Sequence, residues 1–173
     1  HAPIRAGRDG VAELAAIAKE AKRYHLVRVM AKTEEGLGLA CERRAEPEEA
    51  LEHYQRSEEL LRDEPPTEWV DAVAGMARSF EAMGDVRYAI FILESLLDRL
   101  DRDALTRLHA SLVFAYLDAG IHRKAAESAA ELEALAPRMQ DPIKIAQMHM
   151  NVARLFLHDG RIPDAKRSLR RAE

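Results

Sequence analysis

The sequence has little of what marks several large classes of protein. One of its 173 residues is cysteine, Cys41, so the chain cannot form a disulfide with itself, and a reducing compartment suits it. The longest run without Asp, Glu, Lys or Arg spans the ten residues 108–117, whereas a membrane-spanning helix needs about 20. The formal net charge is −4, so no positive field over the whole molecule attracts nucleic acid. We therefore expect a cytoplasmic protein without a membrane span.

Patterns that carry catalysis or bind metal are also missing. None of the seven histidines belongs to an H-E-x-x-H motif, which places two zinc ligands and a base on one helix face. Glu49 and His53 are four residues apart, which favours a surface contact over a metal site. Cys41 lies on an apolar helical stripe, which favours a buried thiol, although Arg44 is a candidate cation for a reactive thiolate. The sequence predicts no enzyme activity, no cofactor and no metal site.

A repeated spacing organises the rest of the chain. Four small residues are each followed five positions later by an alanine, and they stand at Ala45, Gly84, Gly120 and Gly160. The steps between them are 39, 36 and 40 residues, a period that indicates stacked helical hairpins. Glycine at such a turn accepts positive φ, which suits the C-terminus of a helix. The following alanines, Ala50, Ala89, Ala125 and Ala165, would let two helices approach closely.

Apolar and small residues recur at helical intervals on both sides of each turn. The stripe before the turns comprises Leu37, Gly38 and Cys41, then Met76, Ala77 and Phe80, then Leu112, Val113 and Tyr116, then Val152, Ala153 and Phe156. The stripe after the turns comprises Ala50 and Tyr54, then Ala89, Leu93 and Leu96, then Ala125, Ala129 and Leu132, then Ala165, Leu169 and Ala172. Prolines 47, 142 and 163 mark helix starts. We predict about nine helices and no strand.

The pattern of leucine, small residue and aromatic residue before the turn, with glycine and then alanine after it, resembles the tetratricopeptide repeat. The match is best at Leu112, Val113, Tyr116, Gly120, Ala125 and Pro137, and next best at Gly84, Asp85 and Ala89. In the first unit Gly38, Ala50 and Tyr54 match, although the turn glycine is missing. The steps exceed the family's 34-residue unit, which is similar to longer-helix variants found in bacterial regulators and signalling proteins.

The resemblance implies an all-α fold, a right-handed α-solenoid of antiparallel helix hairpins in a single domain, 1–173. Its repeats are expected near residues 31–64, 70–103, 106–139 and 146–173, with an unpaired helix near 9–23. The family's concave face is lined mainly by the first helix of each hairpin. Residues 9–23 resemble a second helix without its first, and the last helix ends at Glu173 without a polar capping helix, so we expect exposed solenoid ends.

A peptide-binding groove is expected on the first helices, at side chains that point away from the packing stripes. The candidates are Arg43, Arg78, Glu81, Phe114, Gln147, Asn151, Arg154 and His158. In this hypothesis Arg78 and Arg154 hold acidic groups of an extended peptide, and Phe114 between them contacts an apolar side chain. An ordinary solvated surface accounts for the same residues, so both interpretations stay open.

Chaperone-binding members of the family hold a carboxylate with Lys, Asn and Arg. At the corresponding places this sequence has Gly36, Gly75 and Ser111, and Asn151 alone offers an amide. The resemblance therefore does not extend to that clamp.

Charge is unevenly distributed along the chain. Residues 31–70 carry 12 acids and 5 bases, whereas residues 138–173 carry 8 bases and 4 acids. Much of this charge fits solvated helix surfaces, with i,i+4 pairs expected at Glu52–Arg56, Glu58–Arg62 and Asp98–Arg102. The basic end is also suited to an acidic partner. Nucleic acid is disfavoured because no aromatic residues alternate with those bases.

These observations predict a non-enzymatic scaffold that binds a protein or peptide. A more specific prediction is that the chain is the sensor or interaction domain of a bacterial regulator. The alternative is a structural module that forms homo-oligomers through its exposed solenoid ends. The two hypotheses differ in whether the mass of the particle depends on protein concentration.

Overall fold

The computed structural model describes residues 9–135, 142–158 and 160–171, and nearly all of these residues are helical. In chain order the helices are α1 (Asp9–Arg23), α2 (Val27–Arg43), α3 (Pro47–Leu61), α4 (Pro66–Ala82), α5 (Val86–Glu94), α6 (Arg102–Asp118), α7 (His122–Leu135), α8 (Pro142–His158) and α9 (Ile162–Arg171), with a 3-10 turn at Leu97–Arg99. The predicted all-α fold is confirmed, and the described ranges contain no strand. Within these ranges, no helix combines the length and the apolar composition that a membrane-spanning segment needs.

The chain divides into two compact units, unit 1 (His1–Asp85) and unit 2 (Val86–Glu173). In unit 1, α1 packs on α2, α2 on α3 and α3 on α4, and α2 also touches α4. In unit 2, each helix from α5 to α9 packs on the next one, and α6 also touches α8. Each unit is thus built from neighbouring helices joined by short connections, as predicted for stacked hairpins. The prediction of one repeat domain over 1–173 stays a prediction.

Five helices end in the same kind of turn. The residues with positive φ are His25, Ala45, Gly84, Gly120 and Gly160. At each of them the amide after the turn donates to a carbonyl five residues back, for example Ile121 N to Tyr116 O at 2.7 Å. The turn residue itself donates to a carbonyl three residues back, for example Gly120 N to Leu117 O at 3.0 Å. This is the Schellman arrangement, and it confirms the four predicted turns and adds a fifth at His25.

Two helices of unit 1 begin with proline: α3 begins at Pro47, where the sequence indicated a start, and α4 begins at Pro66. In unit 2, Asp101 precedes α6 and its side chain accepts a hydrogen bond from Ala104 N at 3.0 Å. The predicted i,i+4 pair of Asp98 and Arg102 is wrong, because the two residues do not belong to one helix. Asp98 lies in the 3-10 turn, Arg102 begins α6, and the backbone at Leu100 between them is extended.

The predicted stripes form the cores of the units. Ala50, Ala89, Ala125 and Ala165 are all fully buried, which confirms their role in close helix packing. Leu169 is the exception, because 44% of its surface is exposed. It lies on α9, which packs mainly against α8, so the opposite side of α9 keeps its side chains in solvent. Ala172, the next residue of that stripe, lies outside the described residues.

Candidate functional site

Four polar or aromatic side chains of unit 2 lie on α6 and α8, two helices that contact each other. Ser111 and Asn151 each stand nine residues before a turn glycine, and Phe114 and Arg154 each stand six residues before it. These equivalent places put the four residues on one surface, which we call the α6/α8 face. The guanidinium carbon of Arg154 lies 4.8 Å from the centroid of the Phe114 ring. The structure thus brings together two of the predicted groove residues.

The contact between Arg154 and Phe114 leaves the cation open to a ligand. Arg154 is exposed, and within the described part of the chain it has no carboxylate partner. Phe114 and Asn151 are half-buried. Stacking on an aromatic ring orients a guanidinium without using its N–H donors, which remain able to bind a carboxylate through two hydrogen bonds. The face therefore offers a preoriented cation, an aromatic surface and an amide.

The equivalent arginine of unit 1, Arg78, is already engaged. Its Nε lies 3.1 Å from Glu42 Oε1, and its Nη2 donates to the Tyr54 hydroxyl at 3.3 Å. Tyr54 is only 2% exposed, and burial raises the pKa of its hydroxyl, which therefore stays protonated. A ligand carboxylate at Arg78 would have to compete with Glu42. Helical periodicity did not predict this pairing, because Glu42 and Arg78 are 36 positions apart in the sequence.

In unit 1, side chains of neighbouring helices pack directly against three glycines. A Cβ added to Gly75 would lie 2.4 Å from the Tyr54 ring, and one added to Gly38 would lie 2.8 Å from it. A Cβ at Gly36 would lie 3.2 Å from Leu14. Gly36 and Gly75 occupy the places that Ser111 and Asn151 have in unit 2. Glycine at these places admits the side chain of a neighbouring helix, so unit 1 has packing where unit 2 has polar groups.

The other predicted groove residues have separate surroundings. Arg43 is exposed in the last turn of α2, and Glu81 is half-buried on α4. The side chain of Gln147 lies outside the described part of the structure. His158 ends α8 and faces His122, with the two ring centroids 4.9 Å apart. The predicted cooperation of Arg78 with Arg154 joins different units and stays a prediction.

Unit 2 contains a polar network that sequence reasoning did not identify. The hydroxyl of Tyr116 donates to Glu94 Oε1 at 2.6 Å, and Lys124 Nζ donates to the same oxygen at 2.6 Å. The hydrogen bonds from Lys124 and Tyr116 lower the pKa of Glu94, while burial raises that of Tyr116. Tyr116 and Glu94 are 22 positions apart in the sequence, so helical periodicity did not indicate this contact. These hydrogen bonds join side chains of α5, α6 and α7.

Cys41 has the environment of an unreactive thiol. It is 3% exposed, and burial raises its pKa although Arg44 Nη2 lies 3.2 Å from its sulfur. Cys41, Glu46 and Glu49 form the one group of three potential metal ligands within the described ranges. Arg44 also forms an ion pair with Glu46, so a side-chain cation already serves two members of this group.

His53 is paired across two helices. Its Nδ1 lies 2.7 Å from Glu34 Oε2, so a carboxylate of α2 is its partner. The structure therefore pairs His53 with Glu34, and not with Glu49 as the helical spacing predicted.

Comparison with known proteins identifies the fold. No protein-family model matches the sequence, and no curated protein matches it. The crystal structure of BtubC (BKLC) from P. vanneervenii is 14% identical, with a TM-score of 0.61 over 97% of this chain and 90% of that one. TPR-like repeats of a putative kinesin light chain from Podosopora anserina are 15% identical, with a TM-score of 0.59 over 95% and 92%. The chain therefore has a fold of the tetratricopeptide-repeat type, as predicted.

Proposed function

We propose that the protein is a non-enzymatic module that binds a protein or peptide segment on the α6/α8 face of unit 2. The ligand is an extended segment with a carboxylate for Arg154 and an apolar side chain for Phe114. Its backbone carbonyl or amide groups would meet the side-chain amide of Asn151. We further propose that the module is the sensor or interaction part of a larger cytoplasmic regulator, because longer-helix variants of this repeat occur in bacterial regulators.

The observation that carries the proposal is the stacking of Arg154 over Phe114 at 4.8 Å. A cation fixed over an aromatic ring loses little side-chain entropy when a carboxylate arrives. Arginine and aromatic residues are also the side chains that contribute most to protein interfaces. An exposed arginine without an aromatic neighbour would lose more side-chain entropy on binding and would offer no aromatic surface to the ligand.

The two arginines of the original hypothesis have different parts in this proposal. Arg154 supplies the main contact because no described carboxylate neutralises it. Arg78 Nε lies 3.1 Å from Glu42 Oε1, so Arg78 contributes to binding only where the ligand displaces Glu42. Substitution of Arg154 should therefore weaken binding more than substitution of Arg78.

The proposal is tested with labelled peptide libraries in which Asp and Glu are compared with Asn and Gln at the same positions. We expect the acidic library to bind the parent chain and the amide library to bind at least tenfold more weakly, because only carboxylates form charged bidentate contacts. Arg154→Ala and Phe114→Ala should remove this preference. Arg123→Ala is the matched control, since Arg123 is an exposed arginine of unit 2 that pairs with Glu127 within α7. Equal binding by all four proteins would contradict the proposal.

Self-association is the second candidate function, favoured by an apolar surface on unit 1. A cavity of about 360 Å³ lies between α1 and the start of α2, and its walls include Ile17, Tyr24, Leu26 and Val29. Of these side chains, Tyr24 is 62% exposed and Leu26 49%. Neighbouring exposed apolar side chains are typical of surfaces that bind another protein. In this alternative the occupant is a second copy of the chain.

Sedimentation velocity over a hundredfold range of protein concentration distinguishes the two functions. Self-association predicts a mass that rises with concentration and a rise that Tyr24→Glu abolishes. Peptide binding alone predicts one mass throughout. Tyr88→Glu, at another exposed aromatic residue, is the control.

A further inference from the structure

We infer that the outer face of α9 binds a phosphorylated serine or threonine in a segment of another protein. Five residues of α9 line one surface recess of about 450 Å³, and four of them are bases. They are Pro163, Lys166, Arg167, Arg170 and Arg171, spaced as i, i+3, i+4, i+7 and i+8, so they share one side of the helix. We call this surface the basic face. None of its residues belongs to the α6/α8 face, so the inference does not depend on the proposed peptide binding there.

Two cations of the basic face are open to a ligand. Lys166 and Arg170 are exposed, and within the described part of the chain their side chains form neither an ion pair nor a hydrogen bond. They stand four positions apart on one helix, so they are neighbours on its surface. Like charges at this spacing destabilise a helix, and an anion bound between them relieves that repulsion.

The other two arginines of the basic face make only long contacts with carboxylates. Arg167 Nη2 lies 3.6 Å from Asp164 Oδ1, and Arg171 Nη1 lies 3.9 Å from Glu133 Oε1. Both distances exceed that of a hydrogen bond. Asp164 lies closer to Arg161, at 2.7 Å. The N–H donors of Arg167 and Arg171 can therefore turn to a ligand without breaking a hydrogen bond to these carboxylates.

This arrangement of cations favours a phosphoryl group over a carboxylate. A carboxylate carries a single charge, and ion pairs between exposed side chains contribute little to affinity. A phosphoryl group carries a charge of about −1.5 to −2 at pH 7 and three acceptor oxygens, so one group can engage two or three of these cations. Three of the four bases are arginines, whose planar guanidinium matches the geometry of phosphate.

Two other phosphate-bearing partners suit the basic face less. A helix that lies on a membrane buries its apolar side among the lipids, but the opposite side of α9 holds the buried Ala165 and Ser168, and α9 packs on α8. Single-stranded nucleic acid stacks its bases on aromatic side chains, and the lining of the recess includes none. A protein segment with one phosphoryl group needs neither a free apolar side nor an aromatic platform.

Fluorescence anisotropy of the full chain with pools of labelled peptides tests the inference. Three pools carry phosphoserine, glutamate or serine at one fixed position, and their random positions exclude Asp and Glu, so no further carboxylate contributes to binding. We expect the phosphoserine pool to bind at least tenfold more tightly than the glutamate or serine pool. Equal binding of the phosphoserine and glutamate pools would contradict a phosphoryl site.

Substitutions locate the binding on the chain. Lys166→Gln combined with Arg170→Gln should weaken binding of the phosphoserine pool at least tenfold. Arg87→Gln combined with Arg123→Gln is the matched control, since it removes the same charge from other exposed positions of unit 2. Arg154→Ala should leave phosphoserine binding unchanged, so failure of this inference and failure of the proposed function are distinguishable. Circular dichroism should show native helix content in all variants, because the substituted side chains are exposed.

Hydrogen exchange locates the binding without any substitution. The phosphoserine pool should slow amide exchange in α9 of the parent chain. Three results would overturn the inference: slowing confined to other helices, an equal loss of affinity in the control variant, or tighter binding of a ten-residue oligothymidylate or of phosphatidylserine vesicles than of the phosphoserine pool.

Discussion

In unit 1 the hydroxyl of Tyr54 accepts a hydrogen bond from Arg78, whereas in unit 2 the hydroxyl of Tyr116 donates one to Glu94. Both rings are buried, at 2% and 4% exposure. A buried hydroxyl needs a hydrogen-bond partner, which can be a donor or an acceptor. In unit 1 the partner is Arg78 of α4, so this arginine is already engaged at the surface. In unit 2 the partner is the carboxylate of Glu94 from α5.

Two similar units thus present different surfaces. Unit 1 carries Gly36 and Gly75 where unit 2 carries Ser111 and Asn151. The glycines allow neighbouring side chains to approach, so the surface becomes part of the packing. In unit 2 the same positions keep polar side chains. Substitutions confined to one unit separate the two surfaces, and hydrogen exchange by mass spectrometry assigns each effect to unit 1 or unit 2.

Gly75→Ala should cause the largest change. The new Cβ would lie 2.4 Å from the ring of Tyr54, so helix or ring must move. Overpacking typically destabilises by about 1–3 kcal/mol, partly offset by the higher helix propensity of alanine, and we expect a net loss of about 2 kcal/mol in urea unfolding. Gly10→Ala is the control, because nothing lies within 4 Å of its added Cβ. Equal stability of the two variants would disprove close packing at Tyr54.

Removing the two tyrosine hydroxyls should have unequal effects. Tyr116→Phe loses a 2.6 Å hydrogen bond to a carboxylate, and Tyr54→Phe loses a 3.3 Å one from Arg78. Hydrogen bonds to charged groups contribute about 1.5–3 kcal/mol, so we expect a loss of about 1.5 kcal/mol at Tyr116 and about half of that at Tyr54. Chemical unfolding of both variants measures the difference.

A double-mutant cycle checks the partner of Tyr116. Combining Tyr116→Phe with Glu94→Gln should cost less than the sum of the single changes, because both remove the same hydrogen bond. Additive losses would show that the hydroxyl and the carboxylate act independently.

Exchanging turn residues between the units should give changes of opposite sign. Unit 1 uses Ala45 at φ 58° where unit 2 has Gly120 at φ 72°. A non-glycine residue in this region is strained by about 1–2 kcal/mol. Ala45→Gly should therefore stabilise unit 1, and Gly120→Ala should destabilise unit 2, each by about 1 kcal/mol in thermal unfolding. Changes of the same sign would contradict the assignment of strain to the turn.

Acid should weaken unit 2 through the half-buried His109 and the buried His149, and we expect this to be the smallest effect. His109 and His149 each stand eleven residues before a turn glycine, and the buried Nδ1 of each has no hydrogen-bond partner in the described structure. Burial lowers the pKa of both. As pH falls through about 6.5, the unfolded chain binds protons first, so stability decreases until the folded histidines are also protonated.

Unfolding at pH 7.5 and 5.5 measures this effect, and His109→Gln with His149→Gln should flatten it. In unit 1 the equivalent residues are Glu34 and Val73, so the same loss is not expected there from this cause. A pH dependence that survives in the double variant would assign it to other groups.

Local features were predictable because their causes lie within a few residues. The helix Asp9–Arg23 was expected at residues 9–23 and is observed there. The turns at Gly84, Gly120 and Gly160 followed from the conformational freedom of glycine, and Ala45 followed from the spacing alone. His25 was missed because histidine carries no such signal, although it adopts the same positive φ.

The candidate site was predictable only in part. Arg154 and Phe114 were both expected on the first helices, and their positions six residues before each glycine put them together. The sequence did not show that Arg78 would be occupied, because Glu42 and Tyr54 reach it from two other helices. Gly75 did not predict the close packing of Tyr54, because an isolated glycine in a helical pattern has several explanations until its neighbour is known.

Local sequence specifies the helices, the turns that end them and the period at which they recur, because these features depend on backbone preferences and on apolar residues a few positions apart. The packing of the helices sets which charges are neutralised and which surface stays open. Glu42 with Arg78, Glu94 with Tyr116 and His122 with His158 are each brought together across 22 to 36 residues by packing between helices. Periodicity identifies the side of a helix that is buried, but contacts across that distance depend on how the helices pack.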